Sequence, residues 1–418
     1  MILIGIFVIL LLLGVPIAIT IGLATIGALF IDGIEFNIIA IKMFSGVSSF
    51  SMMAIPFFVF SGDLMLKGGC SKRLIKLSNT LVGWITGGIP ITAVISSMFF
   101  AALSGSSPAT VAAIGGVMIP NLDEANYDKK FSAGLICAAG SLGIIIPPSI
   151  TMLTYGVVSE TSIGDLFIAA IIPGVFIGCT LMIASYIISK NGNYAHNTKR
   201  PSIKEIVIGV KEAIWALLMP IIILGGIYSG FFTATEAAAI SIVYSMFIGL
   251  FIYKELKFSD IIVIARKSVI TSSMIMLVIS VSKLFGWYLT YNQVPIKVTK
   301  IVLSYVDTPI LILLSINVLL LVVGMLMDPS AAVLILTPLL LPVIKSIGVS
   351  PIHFGVIMIV NLAIGMITPP FGLNLFIASG ISKMDLTDII KGALPFVILL
   401  TGTLLIITFA PQLSLILL

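Results

Sequence analysis

Charge is what this chain has least of: 22 Lys and Arg and 17 Asp and Glu in 418 residues, 9% in all, against 59% hydrophobic. So few polar side chains cannot cover a water-soluble globule of this size, which excludes a soluble domain and points to an all-α polytopic membrane protein. Histidine is nearly missing, with only His196 and His353, and the three cysteines, Cys70, Cys137 and Cys179, lie far apart. These five residues have no metal-ligand spacing and no disulfide framework, so each is read as packing or loop. The chain also lacks a carboxylate pair, a Ser/Lys dyad or a His-rich motif at workable spacing, so it is not read as an intramembrane enzyme. The net charge of +5 and pI near 9.0 give no support for nucleic-acid binding. Lys and Arg gather in short connections, where the positive-inside bias accounts for them.

What is present is long apolar sequence. Stretches such as 2–31, 167–189, 212–231 and 394–418 are nearly free of charge. None shows the alternation of an outer-membrane barrel strand, so a multi-pass place in the bacterial inner membrane is expected. The opening "MILIGIFVILLLLGVPIAITIGLATIGALFI" has no basic leader and runs too long for a signal peptide, and it is read as a retained first helix. The only extended polar stretch, "KNGNYAHNTKRPSIKE" (190–205), sets Lys190, Lys199, Arg200 and Lys204 against Glu205. It reads as a cytoplasmic linker between two halves, 1–189 and 206–418.

The halves match. "GIIIPPSI" (143–150) returns as "GMITPPFG" (365–372), so Gly143, Pro147 and Pro148 recur 222 residues later as Gly365, Pro369 and Pro370. Pro108, Pro120 and Pro173 likewise precede Pro329, Pro342 and Pro395 by 221 or 222 residues, and Gly62 sits loosely over Gly286. Several helix candidates are too short to cross about 30 Å of hydrocarbon, which takes roughly 20 residues. Segments 90–104 and 108–120, joined by "SGSSP", and 310–327 and 330–347, joined by "MDP", are therefore expected to form two re-entrant hairpins. Broken helices are expected near 131–159 and 353–380. If the repeats are inverted across the bilayer, each half brings one hairpin tip and one broken helix to a shared site, a recurring plan of secondary transporters.

Proline has no N–H to give to the carbonyl four residues earlier. Pro147 and Pro148 thus release the carbonyls of Gly143 and Ile144, and Pro369 and Pro370 those of Gly365 and Met366. A small hard cation would satisfy several such oxygens, and sodium is the leading candidate. Thr368, Ser104, Ser106 and Ser107 can add hydroxyls. A proton suits the site less, since carbonyls and hydroxyls do not titrate near neutral pH. At the tips, Pro108 and Pro329 suit the first helical position with Ser107 and Asp328 as N-caps, so positive dipole ends favour an anionic substrate such as a carboxylate. Asp328 has three readings: cap, cation ligand or partner of a substrate hydroxyl. Glu236, at the start of "TEAAAI", is either an acid in a helix's first turn or a functional group. Asp63 and Asp165 read as interfacial carboxylates, and segments 71–85 and 260–270 as amphipathic helices lying along the membrane.

Together "FSGDLM" (60–65), "SGSSPATVAAIG" (104–115), "GIIIPPS" (143–149), "GFFTATEAAA" (230–239), "GMLMDPSAA" (324–332) and "GMITPPFGLNLF" (365–376) resemble the large, DctM-like membrane subunit of tripartite ATP-independent periplasmic (TRAP) transporters, end to end. The resemblance implies an elevator-type, sodium-driven importer of organic acids such as four-carbon dicarboxylates or sialic acid. It implies two partners, a periplasmic substrate-binding protein and a small four-helix membrane subunit, the latter expected as a separate chain because no four extra helices precede residue 1. It also implies two sodium sites, one at Ser106, Ser107, Gly143, Ile146 and Pro148, the other at Gly324, Gly365, Thr368 and Phe371. Ser107, Asp328 and, more weakly, Glu236 would border the substrate. Ala234 departs from the family motif, which usually has proline there. The rival reading is a stand-alone sodium–dicarboxylate symporter, whose Ser-Asn-Thr signature at both tips is matched here only by Ser78 to Thr80, in an amphipathic segment.

Overall fold

The computed structural model describes residues 2–192, 194, 200–305 and 308–418, so His196 and Lys199 of the linker lie outside the described residues. Among the described residues every regular element is a helix. The solvent dictates this, because hydrocarbon offers no water to backbone amides and a helix pairs its own. Eight helices are long and apolar enough to cross a membrane, or nine if one pair bent by 40° counts as a span.

The first hairpin consists of Gly88–Ser104 and Ser107–Glu124, followed by the bent pair Lys129–Ile145 and Ile150–Ser159. In the second half, Pro309–Leu326 and Pro329–Ser346 precede Pro351–Gly365 and Leu373–Ser382. Both Pro-Pro peptide bonds are cis. Lys129–Ile145 and Pro351–Gly365 form the centre, since every residue from Ser132 to Ile145 and from His353 to Gly365 is buried. A helix apolar on all sides has no face to give to water, and these two are wrapped by the hairpins and by Leu386–Phe409.

Two expected elements differ. The stretch 2–31 is two helices, Ile2–Leu12 and Ile17–Ile31, because Gly14 is left-handed (φ 74°) and Pro16 cannot continue the first helix. The segment 260–270 is no separate interfacial helix but part of Phe258–Tyr291, one helix of 34 residues. Its polar side finds partners within the protein: Lys267 Nζ and Ser268 Oγ both bond the Asp63 carboxylate, at 3.0 and 2.8 Å.

The other amphipathic segment forms helix Cys70–Val82, with Leu74, Ile75 and Leu77 buried and its cations outward. Arg73 reaches Glu255 at 2.6 Å and Lys76 reaches Glu212 at 2.6 Å, tying this helix to Ile203–Tyr228 and to the turn before Phe258. Burial alone would push the Glu255 carboxyl up, but the Arg73 hydrogen bond and the charges of Arg73 and Lys72 outweigh it and hold the group below the usual carboxylate range. A depressed carboxylate stabilises the fold above its unfolded pKa and loses that contribution as pH falls through its folded one. Wild type should therefore exceed Glu255→Gln in stability above about pH 5, by about 1 kcal/mol or less for a partly exposed pair, and the two should converge in more acidic solution. Thermal unfolding across pH measures this; a pH-independent difference contradicts it.

Candidate functional site: two hairpin tips against two helix breaks

Each Pro-Pro break follows a glycine that a hairpin touches. A β-carbon on Gly143 would overlap the Ser106 carbonyl and come within 2.7 Å of Thr110 Oγ1. One on Gly365 would overlap the Gly324 backbone, and one on Gly324 would press on Gly365 Cα and Leu362 Cα, each at 3.2 Å. Only glycine lets two backbones approach this closely.

Around Gly143 the oxygens are dense. Ser106 O accepts from Thr110 Oγ1 at 2.8 Å and from Ser104 Oγ at 3.3 Å, while Ser104 Oγ and Thr110 Oγ1 lie 3.2 Å apart. The Ile150 amide bonds Gly105 O at 3.3 Å, which holds the tip on the break, and the buried Pro148 carbonyl faces Gly105. Ile146 is half-buried, packed by Gly174. In the second half the Phe371 amide bonds Met325 O at 3.2 Å, next to Gly324, and Thr368 Oγ1 bonds Ile364 O at 2.7 Å. The residues attributed to two ion sites thus fall into two clusters, one per hairpin, with the Phe371 ring exposed at the edge of the second.

The four carbonyls that proline frees do not all stay free. Ser149 Oγ bonds Ile144 O at 2.8 Å, the Thr368 amide bonds Gly365 O at 3.0 Å, and the Asn374 amide bonds Met366 O at 3.0 Å. Among the described residues no hydrogen bond reaches the Gly143 carbonyl. The repair is local, because the turn after each break brings a donor back over the gap. A carbonyl with one such bond keeps a second lone pair for another ligand.

Asp328 does cap its helix, its Oδ1 accepting from the Ser330 amide at 2.8 Å, and its side chain also opens into a cavity of about 550 Å³. Ser106, Pro108, Thr151, Asp63 and Lys267 also line it. A smaller cavity of about 240 Å³ joins Asp328 to Gly324 and Phe371. The cap of the first hairpin is Ser106, bonded to the Ala109 amide at 3.4 Å, and not Ser107. Ser107 is fully buried behind the cavity wall, where Asn374 Nδ2 donates to its hydroxyl at 2.8 Å. Glu236 forms a capping box with Thr233 and lies exposed, off the wall of either cavity.

Asn374 went unread in the sequence although it joins the halves: besides Ser107 it bonds Cys137 O at 3.2 Å. Its signal was a lone amide in the apolar run "FGLNLF". Asp63 also reads differently in place, as a cavity residue held by Lys267 and Ser268 rather than an interfacial carboxylate.

Hairpins seated on helix breaks around a cavity, in a bundle of membrane-length helices, are the architecture of a membrane transporter. The chain belongs to the family "Tripartite ATP-independent periplasmic transporter, DctM component", whose model matches residues 4–413. It is 44% identical over 414 residues to the isethionate TRAP transporter permease protein DctMQ of Oleidesulfovibrio alaskensis, covering 98% of this chain and 65% of that one. It is 44% identical over 377 residues to the C4-dicarboxylate TRAP transporter large permease protein DctM of Pseudomonas aeruginosa (90% and 88% covered), and 38% identical over 381 to the sialic acid TRAP transporter large permease protein SiaM of Vibrio cholerae (91% and 89%). The fold matches the crystal structure of the YdaH transporter of Alcanivorax borkumensis with a TM-score of 0.65 at 14% identity, over 88% of this chain and 87% of that one. The protein is accordingly a TRAP large permease subunit, a multi-pass protein of the inner membrane and not an enzyme.

The Gly365–Gly324 contact yields a test. Gly365→Ala overpacks backbone against backbone and should cost about 1–3 kcal/mol. Gly402→Ala meets nothing within 4 Å and should stay within about 0.5 kcal/mol of wild type. Thermal unfolding of both in detergent checks this, and equal stability of the two variants contradicts the contact.

Proposed function

We propose that this chain carries a small organic acid across the inner membrane by coupling it to sodium, receiving it from a periplasmic binding protein and working with a separate small membrane subunit. The observation behind the proposal is the paired seating of hairpin tips on helix breaks, which gathers oxygen ligands at Ser106 and Gly143 and again at Gly324 and Gly365, either side of Asp328. Sodium takes oxygen ligands of this kind and has no need of a titratable group. Two ions are proposed, the first held by Ser106, Ser107, Gly143, Ile146 and Pro148 and the second by Gly324, Gly365, Thr368 and Phe371. The amide ends of the two hairpin helices favour a carboxylate or sulfonate between them.

In this reading the two halves are inverted repeats, and the hairpins with their breaks move as an elevator against the long helices. Asp328 meets a polar group of the substrate while capping its helix. Ser107 acts from behind the wall through its bond to Asn374, and Glu236 serves as a helix-start acid. Four-carbon dicarboxylate, sialic acid and isethionate, which name the relatives' substrates, all carry an anionic group of the required kind.

Uptake into proteoliposomes holding this chain, its small subunit and a loaded binding protein tests the proposal. External sodium should drive uptake, and exchange of sodium for potassium should lower it at least about tenfold, a change of about 1.4 kcal/mol. Asp328→Ala should abolish uptake while the protein stays folded, since an exposed cap is worth only about 1 kcal/mol. Unchanged transport by that variant removes Asp328 from the site, and full uptake without the binding protein favours the stand-alone symporter.

A further inference from the structure

Another cavity, of about 530 Å³, lies at the other end of helix Phe258–Tyr291. Its wall carries two lysines, Lys42 and Lys283, with Trp287, Ser49 and Ser282, and none of its lining side chains is acidic. The lysines are put there by packing. Helix Asn37–Val47 presses on the long helix at Gly46, where a β-carbon would meet the Lys283 stem at 2.8 Å, and Ser280 Oγ bonds Met43 O at 2.9 Å to fix the register. One turn back, Lys42 Nζ sits 5.6 Å above the Trp287 ring. Neither lysine is in an ion pair among the described residues. Ser282, only 3% exposed, has a hydroxyl with no hydrogen-bond partner among them.

Two ammonium groups without ion pairs and an orphan hydroxyl thus line one cavity among the described residues. Their side of the membrane sharpens this. Phe258–Tyr291 starts beside Glu255, on the side where Arg73, Lys76 and Arg200 gather, which the positive-inside rule makes cytoplasmic. Lys283, 25 residues on, is about 38 Å along the helix at 1.5 Å per residue, so the cavity lies toward the opposite end of the span. The cavity shares the Leu334 wall with the Asp328 cavity.

We propose that Lys42, Lys283 and Ser282 form an outer anion site, which captures the carboxylate or sulfonate group of a small organic acid on the periplasmic side before it reaches Asp328. The choice of a soluble organic acid rests on the transport reading; the oxyanion chemistry rests on the cavity alone. A lipid phosphate shares that chemistry.

The test places a cysteine at the exposed wall residue Ser49 (Ser49→Cys, with Cys179→Ser; Cys70 and Cys137 are buried) in the full chain in phosphatidylcholine nanodiscs. Labelling rates by an anionic sulfonatoethyl and a cationic trimethylammonium-ethyl methanethiosulfonate are compared. The anionic reagent should win by about tenfold, given two nearby positive charges. Lys42→Gln with Lys283→Gln should bring the ratio to about one, and Lys42→Arg with Lys283→Arg should keep it, separating charge from folding. Succinate or isethionate should slow labelling, and should still do so in Asp328→Asn. A ratio indifferent to the lysines, no protection by either acid, protection lost in Asp328→Asn, or protection by phosphatidylglycerol instead would each overturn the proposal. Labelling needs neither sodium nor the partner proteins, so its result stands apart from the uptake result.

Discussion

A backbone oxygen in hydrocarbon must find a partner, and this protein is arranged around the places where helices cannot provide one. Each Pro-Pro pair interrupts a buried helix at the depth where an orphan carbonyl costs several kcal/mol. The fold answers twice over. Short-range donors, Ser149 Oγ and the amides of Thr368 and Asn374, cover three of the four released oxygens. The hairpins then close on the breaks at Gly143 and Gly365, where the absence of a side chain lets backbone meet backbone. What is left is a pair of oxygen-lined recesses beside one cavity.

The recesses are not independent, because Asn374 of the second break bonds Ser107 of the first hairpin and Cys137 in the core helix. A buried amide of this kind is costly unless every group on it is paired, so it fixes a single register between the halves. A second buried ladder supports the core, from Asn361 to Asn317 at 2.8 Å and from Asn317 to Thr408 at 3.1 Å. The ladder lies within the second half, so a rearrangement that separated the halves would unpair Asn374 from Ser107 and from Cys137 O in the buried core. The hairpins and breaks are therefore expected to shift as one body rather than apart.

Helix class and the two breaks were legible in the sequence, because proline and glycine act through the backbone and their effect is local. Asp328 as cap was legible for the same reason. Side-chain partners across the fold were not. That Ser106 rather than Ser107 caps the first hairpin depends on Ser107 being drawn to Asn374, a residue 267 positions away. The continuity of Phe258–Tyr291 depends on Asp63 accepting Lys267 and Ser268, and without that acid the same residues read as an interfacial helix. The two-lysine cavity arises only once Gly46 meets Lys283.

Under the proposed transport, the recesses at the two breaks hold sodium. Binding of radioactive sodium to the purified chain, without substrate or partners, tests it most directly. Saturable binding of two ions per chain is expected, with one lost in Ser106→Ala and the other in Thr368→Val. Binding that fails to saturate, or that neither substitution alters, would contradict it.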